Sequence, residues 1–231
     1  MLELYDLAGA EEDRRFSPFC WRSRMALAHK DLPVKTIPWR FTDKEKIAPT
    51  GQGRVPVLVD KDRWIADSWA IATYLEETYP DRPSLFGGGA GRALSRFYNN
   101  WADTVLHPGL IRFSLLDIHR HVAEQDKDYF RRSREERFGT SLEKFVANRD
   151  QRLEGFRQSL TPLRLTLQTQ NFLGGDAPLY ADYIVFGGFQ WVRAVSEYAL
   201  LAADDPVAVW RRRMLDLFGG LAGKAKGYPV S

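Results

Sequence analysis

What most constrains this chain is a change of period. Up to residue 83, short runs with strand-like alternation are interleaved with stretches of helical spacing; beyond the glycine-rich run Gly87 to Gly91 the alternation almost disappears. Such a chain builds a sheet from its first third and packs helices beside it. Leu2, Leu4 and Leu7 with Tyr5 read as a strand, and Ser17-Pro18 opens a helix expected to reach Lys30. Serine caps free amides there, and proline has no amide to leave unpaired. Val34, Thr36 and Ile37 form a second strand, and residues 42–46 suit a short exposed helix. Val55 to Val59 and Arg63 to Ile65 flank the turn Asp60-Lys61-Asp62 as an antiparallel hairpin, and residues 68–79 return to helical spacing through Ile71, Leu75 and Thr78.

The resulting order is β-α-β-α-β-β-α, an α+β class with an all-helical remainder. We expect a first domain over residues 1–83, a linker over 84–91 and a helical domain over 92–231. Helices are expected over 92–130, open to a break near His107-Pro108-Gly109, and over 142–170, 182–202 and 207–218. Leu153, Phe156, Leu160, Leu163 and Leu167 make one apolar stripe, with Pro162 expected to kink it. From Gly219 the chain reads as a loosely ordered tail.

Composition removes several function classes. The single cysteine, Cys20, allows no internal disulfide, and no basic segment followed by an apolar leader opens the sequence, so a reducing compartment, the cytoplasm, is expected. No run approaches the roughly 18 to 20 apolar residues of a membrane span. The net charge of +3 comes with basic clusters at Arg131 to Arg137, Arg211 to Arg213 and Lys224 to Lys226. Glu135, Glu136 and Asp216 interrupt or follow them, so they read as solvated faces and not as a nucleic-acid surface. The four histidines lack a ligand set, and His119 and His121 point to different helix faces, so no metal is expected.

Three motifs carry chemistry. Ser17-Pro18-Phe19-Cys20 has the spacing of a Cys-x-x-Cys redox motif with serine in the attacking position. Its hydroxyl suits either a plain helix cap or a donor to a bound thiolate, aided by the helix dipole. Cys20 reads as a buried small hydrophobe, or else as a thiol that exchanges with a disulfide. In Arg54-Val55-Pro56-Val57, the proline is either an edge-strand residue or a cis turn that frees the Val55 backbone to pair with an extended peptide. Asp67-Ser68, directly before a helix, is either a cap or a carboxylate and hydroxyl for an amino-acid head group.

Taken in order, these motifs resemble the glutathione-site motifs of serine-type glutathione transferases, over nearly the whole chain. The resemblance implies a thioredoxin-like first domain with glutathione as co-substrate. It gives Ser17 the thiolate, Val55 and Pro56 the cysteinyl backbone, Asp67 and Ser68 the γ-glutamyl end, and Arg40 and Arg54 the glycyl carboxylate. It also implies a homodimer and a hydrophobic, aromatic electrophile, for which Phe19, Trp101, Phe113 and Trp191 are the candidate pocket residues. In Leu179-Tyr180-Ala181-Asp182 half of the family's helix-capping box remains, with Asp182 expected to bind its own helix's first amides. Phrases such as Tyr79-Pro80-Asp81-Arg82-Pro83 and Phe130 to Gly139 are similar to bacterial β-etherase-type members, which cleave aryl ethers. A non-catalytic binder of glutathione or hydrophobic ligands and a disulfide reductase working through Cys20 are the competing readings.

Overall fold

The computed structural model describes residues 1–230. β1 (Leu2–Leu7) pairs in parallel with β2 (Val34–Trp39) and antiparallel with β3 (Val57–Asp60), which pairs antiparallel with β4 (Arg63–Ala66). The sheet order is β2-β1-β3-β4. α1 (Pro18–His29) makes the crossover between the parallel strands, and α2 (Ser68–Thr78) follows the hairpin. The helix expected between β2 and β3 is a 3₁₀ segment over Lys44–Thr50, because Pro49 lies inside it and Ile47 departs from helical angles. This is a thioredoxin-like sheet, and a helical domain stands beside it.

That domain contains α3 (Gly89–Trp101), a π-helical turn (Ala102–Leu106), α4 (His107–His121), α5 (Glu124–Phe138), α6 (Leu142–Val146), α7 (Arg149–Ser159), α8 (Thr161–Leu167), α9 (Tyr180–Val195) and α10 (Pro206–Gly220). Several expectations are corrected. His107-Pro108-Gly109 does not break the rod, since the widened π turn just before α4 makes room for the proline ring. The break falls instead after His121, where Val122 is extended. The stretch 142–170 is cut at the left-handed Asn148 and again at Leu160, so Pro162 starts α8 and does not kink a continuous helix. α9 stops at Val195, short of residue 202.

The tail is docked, contrary to expectation. Arg193 donates to the carbonyl oxygens of Ala222 (3.2 Å), Gly223 (3.0 Å) and Ala225 (3.1 Å), and the Tyr228 amide returns a bond of 2.8 Å to the Arg193 carbonyl. Asp182 keeps the expected half of the capping box, accepting the amide of the N-cap residue Leu179 at 3.0 Å, and does more: its carboxylate also takes the amides of Leu173 and Gly174 and the Trp210 indole N–H, so it ties the preceding loop and α10 to α9.

The two halves meet where α9, buried on nearly every face, packs on α1. Glycine at 187 permits this approach, since a Cβ there would collide with the Pro18 carbonyl oxygen. The start of α1 is thereby fixed against the helical domain.

Candidate active site

The bridge between Ala8 and Arg15 turns the chain back after β1 and buries Phe16, which delivers Ser17 to the N-cap of α1. Ser17 is 4% exposed, and its Oγ accepts the Cys20 amide at 3.2 Å. Among the described residues nothing bonds the Phe19 amide, so a free N–H and a hydroxyl share this helix start. Cys20 is fully buried beside Asp6, and burial together with the Asp6 charge pushes its thiol well above the ordinary range. Asp6 itself is shifted upward by burial, with Arg24 and Arg15 at 3.5 and 3.6 Å opposing. The inner thiol therefore stays protonated.

Ser17 opens on a cleft of about 680 Å³ between the two domains, walled largely by aromatic rings. Phe19 and Trp191 line it. Trp101 and Phe113 do not. Phe113 is buried against Phe156 (5.3 Å) and Tyr198 (5.4 Å), and Trp101 packs on the main core, because the faces of α3 and α4 that carry them turn inward. In their place the cleft gains Trp39, Phe41, Tyr129 and Phe130. Asp126 makes this wall. It accepts the amides of Phe41 (2.9 Å) and Thr42 (3.1 Å) and the Thr42 hydroxyl (2.6 Å), pinning the loop after β2 onto α5.

Val55 lines the cleft, the Val55–Pro56 bond is cis, and no other described residue bonds the Val55 amide or carbonyl. Asp67 sits beside it, donating its amide to the Pro56 carbonyl at 3.3 Å. Asp67 is held at φ 82, and its Oδ1 accepts the amides of Trp69 (2.8 Å) and Ala70 (3.1 Å), which leaves Oδ2 without a partner among the described residues. Ser68 is buried, with its carbonyl taken by the Tyr180 hydroxyl at 2.7 Å. Arg54 lines the cleft, whereas Arg40 lies off it and pairs with Glu12 at 3.5 Å.

Sequence reasoning missed a polar hub next to Ser17. Arg22, 1% exposed, donates to Asn99 (2.9 Å) and Asp103 (2.7 Å), lies 3.5 Å from His107 Nε2 and stacks on Phe19 at 4.7 Å. With the guanidinium facing Nε2, the His107 proton belongs on Nδ1, 3.6 Å from Asp103. Burial, and then Arg22, hold His107 well below its usual pKa, so it is neutral. An arginine inside an apolar helix face was the available signal, but its partners come from 77 or more residues away.

Family profiles described as the glutathione S-transferase N-terminal and C-terminal domains match residues 13–83 and 93–205, in order and together over most of the chain. The chain belongs to the glutathione S-transferase family. Across 94% of this chain and 96% of the other, the fold superposes with a TM-score of 0.83 on a glutathione S-transferase of Ceriporiopsis subvermispora in complex with glutathione, at 26% identity. A glutathione transferase of Phanerochaete chrysosporium gives 0.82 at 25% identity, over 95% of this chain and 96% of that one. Among curated relatives, glutathione S-transferase Z1 of Arabidopsis thaliana is 33% identical over 145 residues, 55% of this chain and 63% of its own length. The glutathione S-transferase DHAR2 of the same plant is 42% identical over 72 residues, 29% of this chain and 32% of its own. The matched stretches thus span less than two thirds of these two relatives.

Proposed function

We propose that this transferase-family chain binds glutathione along Val55 and the start of α2, stabilises its thiolate at Ser17 and transfers it to an aromatic electrophile in the cleft. The observation that carries this is the Ser17 hydroxyl: it opens on the cleft at a helix N-terminus while Cys20, its neighbour one turn inward, stays a neutral thiol. The Ser17 hydroxyl is within reach of the Cys20 sulfur, but that thiol is neutral, so an anionic ligand sulfur is the stronger acceptor for the serine proton. The open Oδ2 of Asp67 supports an ammonium contact and the free Val55 backbone an extended tripeptide.

In the reaction the bound thiol loses its proton to water, the thiolate sulfur bonds to the electrophilic carbon, and the leaving group departs with the bonding pair. For a β-aryl ether the broken bond is carbon to oxygen, and the aryloxide then takes a proton from water. Aromatic walls support that finer reading. Incubation with a β-aryl ether and glutathione should release the phenol, followed by chromatography; turnover of a chloronitroarene without any phenol would reject the ether-cleaving form alone.

Leu94 and Phe97, each about two-thirds exposed on α3, support the expected homodimer, to be checked by sedimentation. The lone buried Cys20 fits a reducing compartment such as the cytoplasm. Among the described residues no helix is long and apolar enough to cross a membrane.

A further inference from the structure

The basic segment 131–137, read in sequence as one solvated face, divides in two. Arg131 is answered by Glu135 and Glu143, both at 2.9 Å. Arg134 and Arg137 turn to the cleft instead, where Arg112 from α4 and Arg54 from the far wall join them. Among the described residues none of these four has a carboxylate within 4.0 Å, although arginines elsewhere do, such as Arg22 with Asp103 and Arg164 with Asp205. Asp103 is the sole acid among the described residues that line the cleft.

Collecting like charges without counterions is unfavourable, and a guest of opposite charge relieves it. At Arg134 burial holds the guanidinium below its usual range, Tyr129 opposes this, and Arg137 and Arg54 add smaller contributions in the same direction as burial. Geometry points the same way. Arg134 stacks over Phe130 at 4.5 Å and Phe41 at 4.9 Å, Arg137 over Phe138 at 5.4 Å and Arg112 over Phe145 at 5.2 Å. A stacked guanidinium presents its N–H edge, the edge that grips an acid group in bidentate fashion, and the hydrogen-bonding neighbours of Arg134 on its own helix are neutral hydroxyls, Ser133 Oγ at 2.8 Å and that of Tyr129.

We propose that the second substrate is an aromatic anion: an arene whose carboxylate or sulfonate is held by Arg134 and Arg137 while its ring lies among Phe41, Phe130 and Phe138. This deepens the transferase reading and rests on it for the identity of the reaction. The site differs from the one expected for the glycyl carboxylate of glutathione, at Arg54.

The test compares a chloronitrobenzoate with the matching neutral chloronitrobenzamide at fixed glutathione. The benzoate should be favoured in kcat/KM by about tenfold, the size of one charge-assisted contact, and the preference should weaken with salt. Arg134→Gln with Arg137→Gln should bring the ratio to about one, Arg134→Lys should keep part of it, and Arg132→Gln, the same charge lost from an exposed position on α5, should leave it intact. Equal turnover of both electrophiles overturns the proposal. So does a double variant that weakens glutathione binding while the ratio stands, since the arginines would then serve the tripeptide. If neither electrophile reacts, direct binding decides: anilinonaphthalene sulfonate should bind more tightly than uncharged phenylnaphthylamine in a manner lost in the double variant. Equal binding of the two dyes overturns the anion site. Retained dye preference without any glutathione binding overturns the transferase reading and leaves the anion site standing.

Discussion

The two helix starts of the sheet domain use one device to different ends. At α2, Asp67 is exposed, and one of its oxygens is committed to two backbone amides at 2.8 and 3.1 Å. At α1, Ser17 is buried and takes a single amide at the longer 3.2 Å. A carboxylate can cap and still offer an acceptor, whereas a serine that caps by accepting keeps its proton to give away. On the proposed function the difference would serve opposite ends of a zwitterionic ligand: an acceptor for an ammonium at α2 and a donor for a thiolate at α1. Capping geometry alone does not separate a structural residue from a functional one; what each cap leaves unused does.

Ser17→Ala is the sharpest attempt to break this contrast. Turnover of a chloronitroarene should fall about a hundredfold, the scale of losing one oriented donor to a developing or resident anion, while the unfolding midpoint moves by no more than a lost cap, about 1 kcal/mol. Unchanged activity would make Ser17 a cap of the same kind as Asp67. At the other helix, Asp67→Ala should weaken glutathione binding about tenfold by calorimetry and cost about 1 kcal/mol in denaturant titration. Asp67→Asn, which keeps the cap and tolerates the positive φ, should lose the affinity without the stability.

A smaller effect comes from the hub behind Ser17. His107 is held neutral, so its folded pKa lies below the unfolded value near 6.5. Its contribution to stability is therefore present above about pH 6.5 and is lost as pH falls through the depressed folded value. The thermal midpoint should drop on acidification, and His107→Gln should flatten part of that slope; His29, His119 and His121 are shifted downward too and supply the rest. The smallest effect is expected at Cys20. In the native protein it should resist thiol reagents at pH 7 and react only on unfolding, and Cys20→Ala should leave turnover unchanged; a fast-reacting thiol would revive the disulfide-exchange reading.

Much of the first domain was legible because its signals are local. Ser17-Pro18, the turn Asp60-Lys61-Asp62 and Asp67-Ser68 each fix a few backbone angles within their own neighbourhood, and the strands between them alternate cleanly. The helical domain gave less away. Its breaks at Val122, Asn148 and Leu160 carry neither glycine nor proline at the break itself, and the π turn at Ala102–Leu106 has no compositional mark. Orientation was the harder problem. Phe113 and Phe130 look alike in sequence, but one faces α7 and the other the cleft, a distinction made only when α4 and α5 dock. Arg131 and Arg134, three residues apart, divide between paired surface and unpaired cleft for the same reason.

Gly187 limits how this protein can be recombined. The residue belongs to the helical half, yet the carbonyl it must clear belongs to the first turn of the other half, directly after Ser17. A chimaera that joins this sheet domain to a foreign helical domain would need a glycine at the same crossing. Without it the added Cβ would push α1 away and carry the serine hydroxyl out of register with the cleft. Compatibility between grafted halves could be screened at that one position before any loop or linker is redesigned.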